Sequence, residues 1–210
     1  MALYLASNQG LKIRYLLNMV TEDGKSSWSH GMAAKWLDMQ SRAIGIPLVQ
    51  KRTKQADYEA AFKQTMVEFK SEGITAGVFG DIDFNAHKEW IDRVCAAGSI
   101  TSHLPLWLMD QNKILRDFVD LGFVTVVVSA DAELMGEEWA GRVIDRDFLS
   151  DLSRLKNVTP CGESGEYHTL VIDGPIFVKR LEVVKADKVL KDKRWFYEIT
   201  DCELKPKRKK

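Results

Sequence analysis

What most constrains the fold of this chain is a rhythm. Between residues 12 and 129, short apolar runs alternate with longer stretches whose apolar residues recur every three or four positions. Short runs rich in Val, Ile and Leu suit strands buried on both faces, and the three-to-four spacing suits helices that turn one stripe to a core. The run KIRYLLNMV predicts a strand over 12–20, followed by a helix over 31–44 through Met32, Trp36, Met39 and Ala43. After Pro47, a strand over 48–51 leads to a helix over 56–72, with Tyr58, Phe62, Met66 and Phe69 on one stripe and Gly73 as its stop. Strand, helix, strand, helix and strand follow over 75–80, 85–97, 100–104, 113–121 and 123–129. Such a series predicts an α/β fold with a Rossmann-like parallel sheet and helices on both faces.

The rhythm breaks near Asp131. A helix is expected over 147–156, then strands over 166–172, 177–186 and 195–204 without helices between them. The expected division is an α/β domain over 1–130 and a smaller C-terminal α+β part over 131–210. At the other end, 1–8 reads as the last turns of a helix stopped by Gly10. The strand and loop that precede such a helix in a doubly wound sheet are not in the sequence, so a further segment upstream of Met1 is expected.

Composition narrows the function classes. The 30 basic residues balance the 30 acidic ones, which argues against attraction of the whole surface to nucleic acid. The basic run KPKRKK at 205–210 reads as a solvated end. No apolar run approaches the roughly 18 residues of a membrane span. The N-terminus also lacks the basic, apolar and small-residue order of a secretory signal, so a soluble cytoplasmic protein is expected. Cys95, Cys161 and Cys202 are odd in number and far apart, which reads as free thiols.

Several places carry residue types with chemistry. In AGVFGDID, Asp81 follows a small apolar strand at the carboxyl edge of the sheet, where Gly77 and Gly80 allow close backbone approach. That position suits magnesium or a polar substrate group, and equally a turn or a contribution to the cap of the helix from Asn85. In HLPLW, Trp107 offers a flat face beyond the next strand, or a buried aromatic. His30 stands just before a helix and suits an anion or a cap. Arg142, in WAGRVID, suits a carboxylate or phosphate, or a salt bridge with Asp145 or a neighbour. The stretch PCGESGEYHTLVIDGPIF is denser. Gly162 and Gly165 permit a tight loop around Glu163, and Glu166 opens an alternation that places His168 on its own strand face about 7 Å away. Two carboxylates on a turn suit a cation, an amine or an acid and base pair, with a solvated acidic turn as the plain alternative. Cys161 reads as a structural thiol.

GDID, LPLW, GRVID and PCGESGEYHTLVIDGPIF together resemble the successive motifs of the diphthine-ammonia ligase, or diphthamide synthase, family of PP-loop ATP pyrophosphatases. YLLNMVTEDG and QSRAIGIPLV resemble its early strand and helix, so the resemblance covers nearly the whole chain. It implies the adenine nucleotide alpha hydrolase-like form of the Rossmann-like fold, with ATP and Mg2+ as cofactors. The implied chemistry is amidation. ATP adenylates the carboxylate of diphthine, a modified histidine of elongation factor 2, or of a related small molecule, and ammonia displaces AMP. The resemblance further implies catalytic roles for Glu163, Glu166 and Asp81, substrate contacts from Gly162, Gly165, His168, Trp107 and Arg142, and nucleotide contacts from Gly80 and Asp81. Replacing Glu166 by Gln is then expected to cost turnover far more than stability.

One departure stands against the pattern. The family's Ser-Gly-Gly-Lys-Asp-Ser phosphate loop occurs nowhere in the sequence, and ALYLASNQG resembles the helix that directly follows it. An incomplete ATP site is expected, and two other readings follow. One is a binding or regulatory protein that keeps the substrate pocket without catalysis. The other is a PP-loop relative acting on tRNA, which the zero net charge opposes.

Overall fold

The computed structural model describes residues 1–28 and 31–207. The chain divides into two compact units, one of residues 1–41 and 46–109, the other of residues 42–45 and from 110 onward. The division falls between Met109 and Asp110, upstream of the boundary expected at 130.

The first unit follows the expected alternation. Its elements are α1 (Ala2–Asn8), β1 (Leu16–Val20), α2 (Ala34–Ile44, its last turn counted with the second unit), β2 (Leu48–Arg52), α3 (Tyr58–Ser71), β3 (Ala76–Val78), α4 (Asn85–Ala97) and β4 (Thr101–His103). Strands β1 and β2 pair in parallel from Leu16 with Leu48 to Val20 with Arg52, and β3 pairs with β4 in parallel from Ala76 with Thr101 to Val78 with His103. β1 is shorter than its apolar run. Its ladder starts where the Leu16 N–H donates to the Pro47 carbonyl at 2.8 Å, and Lys12 and Arg14 before it are exposed. Helix α2 starts at Ala34, three residues later than expected, because Ala33 is held in a β-bridge to Ser26. The stripe on α3 is the core stripe: Phe62, Met66 and Phe69 are buried with Met19, Val94 and Ile100. Phe62 meets Trp90 of α4 edge-on at 4.9 Å. Each such buried side chain contributes roughly 1.5–3 kcal/mol.

The second unit departs from the expected rhythm. It contains α5 (Gln111–Asp120), β5 (Val124–Asp131), α6 (Arg146–Leu152), β6 (Tyr167–Asp173), β7 (Lys179–Lys191) and β8 (Arg194–Pro206). β5 is not the last strand of the parallel series. It lies inside a four-stranded sheet in the order β6-β5-β8-β7 and runs antiparallel to both neighbours. The run VTVVV is apolar because β5 is central, and a central strand reads alike in either kind of sheet. This is why the domain boundary moves upstream. The core gathers Leu115, Val127, Ala130, Met135, Trp139, Ile144, Phe148, Leu152 and Tyr167. Helix α6 starts on Asp145, whose carboxylate accepts the Phe148 N–H at 2.8 Å, and α5 starts on Asp110, which accepts the Lys113 N–H at 2.7 Å. All three cysteines are free thiols, and burial pushes the Cys95 thiol up to about 11. Among the described residues, no helix is long and apolar enough to cross a membrane.

Candidate functional site

Three places collect polar groups where the topology can present them. The first lies beyond the carboxyl ends of β1 and β2. There, Thr21, Glu22, Asp23, Ser26, Trp28, Lys54 and Gln55 line a cavity of about 560 Å³. The turn after β1 ties itself up. Asp23 accepts from the Thr21 hydroxyl at 2.6 Å and from the Lys25 N–H at 3.0 Å, which holds its carboxyl below the usual range, and the Thr21 hydroxyl accepts the Ser26 N–H at 3.2 Å. Trp28 is fixed by an indole hydrogen bond to the Thr53 carbonyl at 2.9 Å, and Lys54 lies 3.4 Å from Glu22. None of these residues was singled out in the sequence as a site residue. Their one signal was a polar turn directly after a buried strand. His30 and the end of the basic tail, residues 208–210, lie outside the described residues.

The second place lies beyond β3 and β4. The Phe79 N–H donates to the His103 carbonyl at 2.9 Å, extending the ladder, and the chain then turns through Gly80 and Asp81. The Leu108 N–H donates to the Ile82 carbonyl at 2.7 Å, so the loop of Asp81 and the loop of half-buried Trp107 are tied together. Asp81 does not cap α4, whose N-cap is Phe84 with no side-chain hydrogen bond. Its Oδ1 lies instead 3.2 Å from Nδ1 of His87, a residue that the sequence reading passed over. The six-residue separation of Asp81 and His87 fits neither helix nor strand periodicity.

The third place is the loop before β6, and its hydrogen bonds run through the whole loop. Glu166 is only 3% exposed, and its carboxylate accepts the Thr159 N–H at 2.6 Å, the Thr159 hydroxyl at 3.1 Å and the Ser164 N–H at 2.9 Å. The Thr159 hydroxyl in turn accepts the Glu163 N–H at 2.8 Å. Gly162 donates to the Thr159 carbonyl at 3.1 Å, Gly165 to the Gly162 carbonyl at 3.0 Å, and Cys161 to Oε1 of Gln111 at 3.1 Å. Every N–H from Thr159 to Gly165 is thereby used inside the protein, Pro160 having none. Such a loop presents no nest of amides to an anion. Its exposed acidic residue is Glu163. Below it, Tyr167 donates to the Pro160 carbonyl, and burial, with Cys161, Glu166 and Glu163 nearby, pushes its phenol far above the ordinary value, so it stays protonated.

Two further candidates belong to the same unit. Glu166 does not share a strand face with His168: β6 starts at Tyr167, and the Glu166 carboxylate is turned back into the loop. His168 is half-buried opposite Ser129 of β5. Arg142 pairs with Asp151 of α6, and its guanidinium lies 4.7 Å from the Trp139 ring centre and 5.5 Å from that of Phe148. Asp145 is occupied as the α6 cap. Among the described residues, no group of three or more His, Cys, Asp or Glu side chains is placed to hold a metal ion.

Comparison with known proteins connects the chain to a family. The description "Diphthamide synthase N-terminal domain" matches residues 1–102, and "Diphthamide synthase C-terminal domain" matches residues 110–205. The two stretches meet near the division between the structural units. The diphthine-ammonia ligase of Schizosaccharomyces pombe is 35% identical over 100 residues, 47% of this chain and 16% of that protein. The diphthine-ammonia ligase of Homo sapiens is 27% identical over 174 residues, 73% of this chain and 64% of that protein. The Danio rerio protein of the same name is 22% identical over 174 residues, 73% of this chain and 67% of that protein. The chain thus matches less than two thirds of the length of the fission yeast and human proteins.

Proposed function

Because this chain belongs to the diphthamide synthase family, we propose that it acts as an ATP-dependent, amide-forming ligase of the diphthine-ammonia ligase type. Its carboxylate substrate would be activated as an acyl-adenylate, and ammonia would displace AMP. One observation carries the reading: both domains of a single family are matched, over residues 1–102 and 110–205, which take in most of each unit. Diphthine on elongation factor 2 is the proposed substrate, with a small-molecule carboxylate as the alternative.

The geometry supports a division of labour. A cavity of about 560 Å³ at the carboxyl ends of two parallel strands has the size and position of a small-ligand site. Its lining fits a base and ribose: the Trp28 ring is apolar, and Thr21, Ser26 and Gln55 carry hydrogen-bonding groups. It fits a triphosphate poorly. Glu22 and Asp23 are negative, the amides of Lys25 and Ser26 are already bonded, and Lys54 stands against Glu22. Magnesium would be held mainly by the phosphates of ATP, as is usual for that ion. In the Glu163 loop, Glu166 shapes the backbone and Glu163 offers its carboxylate to a cationic part of the substrate or to ammonium. Asp81, with Gly80, serves the nucleotide or the carboxylate being activated.

The poor fit of the triphosphate favours a second reading, a binding or regulatory protein that keeps the pockets without the reaction. Pyrophosphate release separates the two. The purified chain is incubated with ATP, Mg2+, ammonium and elongation factor 2 carrying diphthine, and pyrophosphate, AMP and amide are measured. The ligase reading expects all three in equal amounts. Nucleotide binding without pyrophosphate would establish the second reading and sink the first.

A further inference from the structure

The loop beyond β3 breaks two local rules at once. The N-cap of α4 is a position where Ser, Thr, Asp or Asn stabilises a helix by about 1 kcal/mol, yet it holds Phe84, 57% exposed and without a capping bond. Opposite it, Leu108 sits at φ 58 in the left-handed region, 72% exposed, in a loop bonded to Ile82. A leucine there is strained and gains no burial in return. Local rules tend to fail where function is housed, and both failures stand at the carboxyl edge of a parallel pair of strands.

Beside Phe84 lies the Asp81 and His87 pair. The Phe84 ring meets the His87 ring edge-on at 4.7 Å, so both a carboxylate and an aromatic neighbour fix the imidazole. Nδ1 is the ring nitrogen that lies beside the carboxylate, 3.2 Å from Oδ1 of Asp81. Nε2 is on the far edge of a side chain 62% exposed. As a stabilising ion pair, so exposed a contact is worth little. With Asp81 against one ring nitrogen and Phe84 against the ring, it has the arrangement of a positioned base.

We propose that His87 is the general base of amide formation and that Asp81 is its positioning residue. This rests on the ligase reading above and adds the fate of a proton to it. Ammonium has no lone pair and cannot attack. It gives one proton to Nε2 of His87. The freed nitrogen attacks the acyl carbon of the acyl-adenylate and forms the C–N bond. The bond from that carbon to the AMP oxygen breaks, and its electron pair leaves with AMP. The surplus proton on the new amide nitrogen passes to water, and His87 returns its own proton to solvent.

The test uses the full chain and resolves the two halves of the reaction. Pyrophosphate exchange reads formation of the acyl-adenylate, and amide release with ammonium as nitrogen source reads the second half. His87→Ala should slow the ammonium-dependent step about 10²-fold more than it slows exchange. Added imidazole should restore at least about a tenth of the wild-type rate, which a structural role would not allow. Asp81→Asn should slow the same step more than it slows exchange and, by long-range ¹⁵N–¹H correlation, shift the His87 ring away from the Nδ1–H form expected in the wild type. An Nε2–H ring in the wild type overturns the proposal, as does an equal fall of both half-reactions in His87→Ala without imidazole rescue. Absence of exchange in the wild-type chain overturns the ligase reading itself and this role with it.

Discussion

The loop of Glu163 and the loop of Asp81 hold their acidic groups in opposite ways. Around Glu163, each amide from Thr159 to Gly165 has an internal partner, and a buried carboxylate sits at the centre. Around Asp81, one exposed histidine, an uncapped helix start and a strained leucine stand in the open. A closed network fixes its exposed group by preorganisation, so its residues carry stability and function together. An open edge separates the two, so its side chains can change with little effect on folding.

The largest effect should come from the centre of the closed loop. Glu166→Ala strands the Thr159 N–H, the Thr159 hydroxyl and the Ser164 N–H, and should cost about 3 kcal/mol in urea unfolding. Glu166→Gln should cost less, yet enough to count against the sequence-based expectation that turnover suffers far more than stability, because its amide group is a donor set among donors. A loss below about 0.5 kcal/mol for the alanine variant would erase the contrast between the loops.

A pair of glycines sharpens it next. Gly162 has φ +71, and a Cβ there would stand 2.8 Å from the Tyr167 carbonyl oxygen, so Gly162→Ala should cost about 2 kcal/mol. Around a Cβ on Gly80 there is nothing within 4 Å, and Gly80→Ala should stay within about 0.5 kcal/mol. Equal melting temperatures for the two variants would contradict the description of one loop as closed and the other as open. Smaller still should be Glu163→Gln, within about 0.5 kcal/mol in stability, while ammonium-dependent turnover falls at least about tenfold.

The smallest effect lies outside both loops, in the first unit. Hydrogen bonds from Arg93 and Lys63 hold Glu59 down to about 2, from an ordinary 4.5. A carboxyl held low in the folded state contributes in full above pH 4.5 and loses that contribution as pH falls toward about 2. Arg93→Ala should flatten this part of the acid limb. Because the pair is exposed, salt should flatten it too. An acid limb unchanged by either would show that the pair adds nothing.

The sequence was most legible where periodicity does the work. Helix α4 starts and ends at the expected residues, because its apolar stripe is regular and Gly98 follows it. β5 was legible as a strand, while its partners were not: an apolar run states burial on both faces without stating direction. The loop of Glu163 was legible as tight, from its glycines. That Glu166 turns inward was not, since only the fold brings Thr159 to it. The Asp81 pairing with His87 needed a loop geometry that no residue spacing encodes.

The place of β5 also sets a timetable. The strands of the first unit find their partners nearby, and all of them have been made once residue 103 leaves the ribosome. β5 is made soon after, yet it is flanked by β6 and by β8, and Arg194 reaches back across 65 positions to bond Ser129. Until Arg194 arrives, one edge of β5 waits unpaired during synthesis, the circumstance in which nascent chains are most exposed to aggregation.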